Sequence, residues 1–209
     1  MVKYSRGVLM KGIVAVVTYN CNIMCSSCSY GCGPHRKGVM SPENFKDRVT
    51  EAYASGYSDY LEISGGEPFL HTGMVFKYIK KIEGLDIKKS IVTNGYWGGQ
   101  DYFFDILADL KHCGVDEIIL EYDSFHSVFI NQETILEAAN KAGICGMKVR
   151  LRAGFETSSL STRYDWVTLD IMRSLRKRHN KLIFECVSIE EYAGLYSNNI
   201  NCHRRIILP

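Results

Sequence analysis

An α/β fold with parallel strands is predicted by three observations. Short apolar, β-branched runs alternate six times with segments of helical period. The helical segments between them, 9 to 15 residues long, are of the length crossover helices need. The 209 residues, 46% hydrophobic and 23% charged with four prolines, describe one ordinary globular domain rather than a disordered or repetitive chain.

The first strand is Gly12 to Thr18, an unbroken apolar run that ends in a cysteine-containing loop. Ser41-Pro42 caps and opens a helix with Phe45, Val49, Ala52 and Tyr53 on one face, stopped by Gly56. Tyr60 to Ile63 is a short strand, Gly73 to Lys81 a helix opened by Thr72, and Lys88 to Thr93 a strand closed by Asn94-Gly95. A helix follows over Asp101 to Cys113, with Phe103, Phe104, Leu107 and Leu110 inward, and then a strand over Glu117 to Tyr122. Glu133 to Lys141 is a helix ended by Gly143, and Met147 to Phe155 the fifth strand. The last unit is a helix over Tyr164 to Arg178, with Trp166, Leu169, Met172 and Leu175 as its apolar stripe, and a strand over Lys181 to Ser188.

Right-handed crossovers between such strands permit two closures, an open doubly wound sheet or a (β/α) barrel lacking its last two units. Either places the loops after the strands on one rim. The core spans about residues 10 to 189, and 190 to 209 form a polar tail whose late apolar run packs across an edge or end. A balance of 25 Lys and Arg against 23 Asp and Glu gives no reason to expect nucleic acid or an anionic membrane as partner. The chain has no apolar run long enough to cross a bilayer and no cleavage site after its first apolar run, so a cytoplasmic location is expected.

Eight cysteines in such a chain point to reduced thiols or metal ligands rather than disulfides. Cys21, Cys25 and Cys28 share one loop, with Cys32 shortly after. Their C-x3-C-x2-C spacing departs from the pairs of structural zinc sites and from the ferredoxin run. Three close thiols suit a [4Fe-4S] cluster with one iron left open to an outside ligand. Spacing alone also allows a zinc site completed by Cys32 or His35, unligated cysteines, or Cys32 as a fourth cluster ligand. Cys113, Cys145, Cys186 and Cys202 are scattered and read as small buried hydrophobes.

With CxxxCxxC after the first strand and Ser64-Gly65-Gly66-Glu67-Pro68 after the second, the chain resembles the radical S-adenosylmethionine (radical SAM) superfamily. The resemblance covers about residues 10 to 189 and implies a partial (β/α)6 TIM-like barrel. It also implies a [4Fe-4S] cluster on Cys21, Cys25 and Cys28, with SAM on the fourth iron, and leaves Cys32 as a loop thiol. Gly65 and Gly66 would bring backbone carbonyls to the methionyl ammonium, with Glu67 contacting that cation or fixing the turn and Pro68 holding the bend. Asn94 falls at the rim near substrate or cofactor. Relatives usually place an aromatic residue before the third cysteine, where this chain has Ser27, so Tyr30 is the candidate to stack on adenine. Relatives also place a serine where Glu121 stands, which directs Glu121 toward the ribose hydroxyls, while Asp123 keeps the family residue. His126 is a candidate for substrate contact or proton transfer. Arg150 and Arg152 share one strand face, and Arg152, nearer the rim, is placed on SAM's carboxylate.

The implied activity is reductive cleavage of SAM to a 5′-deoxyadenosyl radical that abstracts hydrogen from a peptide or protein substrate. Two missing barrel units leave a side open for a large substrate. The alternatives are a small molecule such as a nucleoside, sugar or amino acid derivative, a glycyl-radical activating role, or a nonenzymatic metal-stabilised binding protein. The expected electron donor is flavodoxin- or ferredoxin-like.

Overall fold

The computed structural model describes residues 11–189 and the backbone of a strand at His203–Ile207. Cys202 and the polar stretch over 190–202 lie outside the described residues. Six parallel strands lie side by side in chain order: β1 (Gly12–Val16), β2 (Tyr60–Ser64), β3 (Lys88–Thr93), β4 (Glu117–Glu121), β5 (Lys148–Phe155) and β6 (Ile183–Ser188). A seventh, β7 (His203–Ile207), pairs in parallel with the other side of β1, Gly12 opposite His203. Ile206 and Ile207 of the late apolar run thus do lie along a sheet edge.

This order decides between the two closures. A doubly wound sheet reverses its strand order at a switch point, and β1 to β6 show no reversal. Each right-handed crossover therefore steps the same way, and the helices gather on one face. These are α1 (Pro42–Ala54), α2 (Thr72–Lys81), α3 (Phe103–His112), α4 (Gln132–Ile144) and α5 (Arg163–Arg178). Toward them the sheet turns Ile13, Ala15, Leu61, Ile63, Ile91, Ile118, Leu120 and Leu151, all fully buried in one core with Phe45, Val49, Leu107, Leu110 and Ala139. The alternate positions point the other way and carry the sheet's charged residues Glu62, Glu117, Glu121, Arg150, Arg152 and Glu185 beside apolar ones such as Val92 and Ile119.

That face is concave. In a flat sheet β2 and β5, three ladder steps apart, would be separated by about 14 Å, yet Arg152 on β5 meets Glu62 on β2 at 2.7 Å. Side chains standing perpendicular to a flat sheet would not bridge that gap. The strands therefore form a curled partial barrel, helices outside and charged residues within.

Helix registers differ from the sequence reading in three places. Thr162 and Asp165 form a reciprocal capping box that fixes the rotation of α5. Asp165, Thr168, Ile171 and Leu175 face inward as a result, and Trp166 is 59% exposed. On α3 Phe103 is buried and Phe104 exposed, since consecutive residues are 100° apart on a helix and cannot both face in. Gly143 does not stop α4, which runs to Ile144, and Gly146 at φ +76° makes the turn. Among the described residues no helix is long and apolar enough to cross a membrane.

Candidate active site

The cysteine loop is tied down at both ends. Cys21 donates its backbone N–H to the Gly33 carbonyl at 3.2 Å, and the Gly33 N–H returns to Tyr19 at 3.2 Å. Further out, Met40 donates to Val17 at 2.8 Å, so the excursion from 17 to 40 closes on itself before α1 begins. Within it the Cys28 N–H bonds to the Cys25 carbonyl at 3.1 Å and the Gly31 N–H to Cys28 at 3.1 Å. Cys21, Cys25, Cys28 and Cys32 consequently line one cavity at the strand-end rim, together with Tyr30.

The turn after β2 is bolted to the root of this loop. Gly66 donates to the Thr18 carbonyl at 2.7 Å and Glu67 to that of Asn20 at 2.8 Å. A Cβ on Gly65, whose φ is +138°, would fall 2.4 Å from the Thr18 oxygen, and one on Gly66 2.1 Å from the Asn20 oxygen. Only glycine permits this approach, which sets both residues in the wall of the cysteine cavity. Gly66→Ala is expected to lower stability by about 3 kcal/mol, the upper part of the range for overpacking. Urea unfolding measures this, and an unchanged midpoint would contradict the close approach.

Glu67 faces away from the cavity. Its buried carboxylate accepts the Phe69 N–H at 3.0 Å, the Asn94 N–H at 2.8 Å and the Thr93 hydroxyl at 2.9 and 3.0 Å. Of the two roles expected for Glu67, the geometry is that of fixing the turn. Burial raises its pKa to about 7 against the opposing hydrogen bonds. Pro68 begins the 3-10 turn Pro68–His71 that leads into α2. Asn94 lines the cavity, its amide donating to Asn22 at 2.9 Å and reaching the Cys21 sulfur at 3.7 Å.

The thiols are not equivalent. Burial pushes Cys21 up to about 12, while hydrogen bonds led by that from the Cys32 side chain hold Cys28 down at about 5. Cys32 is raised by the same hydrogen bond and by burial. On the facing wall Asp123 accepts the Phe125 and His126 N–H groups at 2.9 and 3.2 Å, the Gly154 N–H at 3.0 Å and His126 Nδ1 at 2.8 Å. Burial opposes ionisation of Asp123, but His126 and these donors outweigh it and hold the pKa down. The imidazole of His126 is raised well above its ordinary range because its charge pairing and hydrogen bond with Asp123, and its contact with Cys25, exceed the cost of burial.

Arg152 lies at the base of the same cavity, but its fork is not open to a ligand. It pairs with Glu62 at 2.7 and 3.1 Å, bonds Glu185 through Nε at 2.9 Å and stands 3.8 Å from Glu121. This corrects the expectation of a free guanidinium facing SAM's carboxylate: curling brings acidic residues of β2, β4 and β6 around it. Arg150 is likewise held, by Glu117 at 2.8 Å and Glu185 at 3.4 Å. Glu121 lines the cavity, its pKa raised by burial although Arg152 opposes the rise. Sequence reading missed Ser64, Val187 and Ile189 as wall residues and Glu62 and Glu185 as partners of Arg152.

Among the described residues no group of three His, Cys, Asp or Glu side chains is arranged to hold a single metal ion. A cubane makes a different demand, since its thiolates go to separate iron corners instead of one point. Three cysteines of one pinned loop, set around a cavity walled by a glycine turn, fit that demand. The fold and site thus define a parallel partial barrel with a thiol-lined cavity at its strand-end rim. The family model of the radical SAM superfamily matches residues 15–155, and the chain belongs to that superfamily of enzymes, which use a [4Fe-4S] cluster and SAM.

Among solved structures the fold is similar to that of Streptococcus suis SuiB bound to SAM, with a TM-score of 0.59, 16% identity, and coverage of 96% of this chain and 51% of SuiB. HydG, a maturase of the [FeFe]-hydrogenase, gives a TM-score of 0.59 and 16% identity over 87% of this chain and 45% of HydG. A radical SAM methyltransferase from Sphaerobacter thermophilus gives 0.58 and 14% identity, over 93% of this chain and 65% of that one. The chain spans about half the length of SuiB and HydG. No curated protein matches its sequence.

Proposed function

We propose that this chain holds a [4Fe-4S] cluster on Cys21, Cys25 and Cys28, cleaves SAM reductively, and abstracts a hydrogen atom from a peptide or protein substrate. The observation that carries the reading is the convergence of those three cysteines with Gly65 and Gly66 on one cavity. When bound, the cluster supplies the electron that splits the sulfonium bond into methionine and a 5′-deoxyadenosyl radical.

The chain's own residues hold and orient the reactants, as proteins do for cofactors that carry the difficult chemistry. Gly65 and Gly66 present backbone to the methionyl ammonium, while Glu67 and Pro68 keep their turn against the cysteine loop. Tyr30 offers its ring to adenine from the cavity wall. Glu121, turned into the cavity with its pKa raised by burial, suits the ribose hydroxyls better than a second carboxylate. Asn94 holds the sulfur of Cys21 in place by a hydrogen bond, and Asp123 fixes the orientation of His126. Arg152 offsets part of the negative charge of the inner wall by engaging the acidic residues around it.

A large substrate is supported by the shape of the sheet: among the described residues β6 pairs on one side alone, which leaves a lateral approach to the cavity. SuiB, similar in fold over half its length, has been solved with its precursor peptide. A small reduced protein of the flavodoxin or ferredoxin kind would supply the electron.

Anaerobic reconstitution with iron and sulfide, followed by reduction and addition of SAM, is expected to yield methionine and 5′-deoxyadenosine. Stoichiometric zinc with no cleavage after the same treatment would overturn the reading. Label passing from deuterated peptides into 5′-deoxyadenosine supports the substrate class, and label passing only from small metabolites overturns that part.

A further inference from the structure

Asn94 stands between the glycine turn and the cysteine loop and is 5% exposed. It is held from several directions. Its backbone N–H goes to Glu67 at 2.8 Å, and its side-chain oxygen accepts the Tyr96 N–H at 3.1 Å. A backbone N–H can only donate, so the amide oxygen must face Tyr96 and the amide NH2 the cysteine loop. That NH2 group donates to the side-chain oxygen of Asn22 at 2.9 Å and reaches the Cys21 sulfur at 3.7 Å. The sulfur and the Asn22 oxygen are themselves 3.9 Å apart, with the thiol as donor between them.

Once iron replaces the thiol proton, sulfur and oxygen are both acceptors, and the two N–H bonds of the Asn94 amide serve one each. A thiolate on iron carries negative charge that grows when its cluster is reduced. A donor aimed at that sulfur stabilises the reduced state more than the oxidised one, and so raises the reduction potential. Building on the ligand set proposed above, we propose that Asn94 is a positioning residue for the cluster: its side-chain N–H holds the Cys21 sulfur and raises the reduction potential, which eases the uptake of the electron.

The test compares wild type with Asn94→Ala, Asn94→Ser and Asn94→Asp after anaerobic reconstitution, by iron and sulfide content, electron paramagnetic resonance of the reduced cluster, and redox titration without SAM. The bond to Glu67 comes from the main chain and survives in all three. Serine and aspartate also keep an oxygen for the Tyr96 N–H, and with it the turn that alanine gives up. Neither puts a donor on the sulfur, because the serine hydroxyl is one bond too short and the carboxylate has no N–H. All three variants are expected to hold wild-type iron and sulfide. At a fixed potential near the wild-type midpoint the reduced-to-oxidised ratio is expected to fall roughly tenfold in Asn94→Ser and Asn94→Ala alike, equal to about 59 mV for one electron. Asn94→Asp sets a carboxylate where the donor stood and is expected to fall further. An unchanged midpoint in Asn94→Ser overturns the proposal, and so does a shift confined to Asn94→Ala, which would trace to the turn. Loss of iron in the serine variant overturns it too, by making the amide a condition of assembly. A wild-type protein that assembles no [4Fe-4S] cluster overturns the proposed function itself, and is recognised before any variant is compared.

Discussion

Cys25→Ala protein, reconstituted anaerobically beside the wild type, is expected to lose the broad visible absorption of an iron-sulfur cluster and to yield 5′-deoxyadenosine only at background. Two thiolates leave two corners of the cubane without protein, and the second open corner invites hydrolysis and loss of iron. Cys25 sits between Cys21 and Cys28 on a loop whose backbone is bonded at 21, 28, 31 and 33, so truncating its side chain leaves the framework intact. The expected defect is therefore in metal content and not in folding, and circular dichroism should match the wild type. Cys113→Ala is the control: that thiol is free and exposed, far from the cavity lining, and its loss should change neither iron content nor cleavage. A Cys25→Ala protein with full iron and normal cleavage would remove the proposed ligand set.

The parts of this molecule that were readable from sequence were those written in local pattern. Strand β3 lies where its alternation ends at Asn94-Gly95, and α1 starts at the Ser41-Pro42 cap, because caps and turn residues act over three or four positions. Parity also placed Arg150 and Arg152 on one face. What parity could not give was what faces them, since Glu62 is 90 residues from Arg152 in sequence and meets it only after the sheet has curled. The same limit applies to the glycine turn. Its motif was visible, but the backbone of Thr18 and Asn20 against which it packs belongs to another unit, joined through hydrogen bonds that leave no trace in residue type. The stripe on α5 failed for a different reason: its large apolar residues suggested one rotation, and the Thr162–Asp165 capping box imposed another.

Removing the guanidinium of Arg152 tests how far that inner wall depends on charge. Arg152→Ala is expected to destabilise the fold by about 3–5 kcal/mol, the usual cost of stranding the partners of a buried ion pair. Arg152 and Glu62 are 6% and 8% exposed at their side chains, and Glu185 and Glu121 are about a third exposed, so most of the cost falls on Glu62. The loss should depend on pH with a definite sign. In the wild type burial opposes ionisation of Glu185, but Arg152 and Arg150 outweigh it and hold its pKa below the ordinary value. That contribution is present above the unfolded carboxylate value of about 4.3 and is lost as pH falls through the native one. In the variant burial is opposed by less positive charge, so the pKa values of Glu185 and Glu121 move upward. A raised native pKa favours the fold below about 4.3 and ceases to do so as pH climbs through it. Both changes act in one direction: the gap between variant and wild type should be widest near neutrality and narrow toward pH 5. Urea unfolding at two pH values reads this directly. A gap of equal size at both would assign the loss to packing of the arginine stem, and a gap below about 1 kcal/mol, the scale of exposed pairs, would show that water already screens the wall.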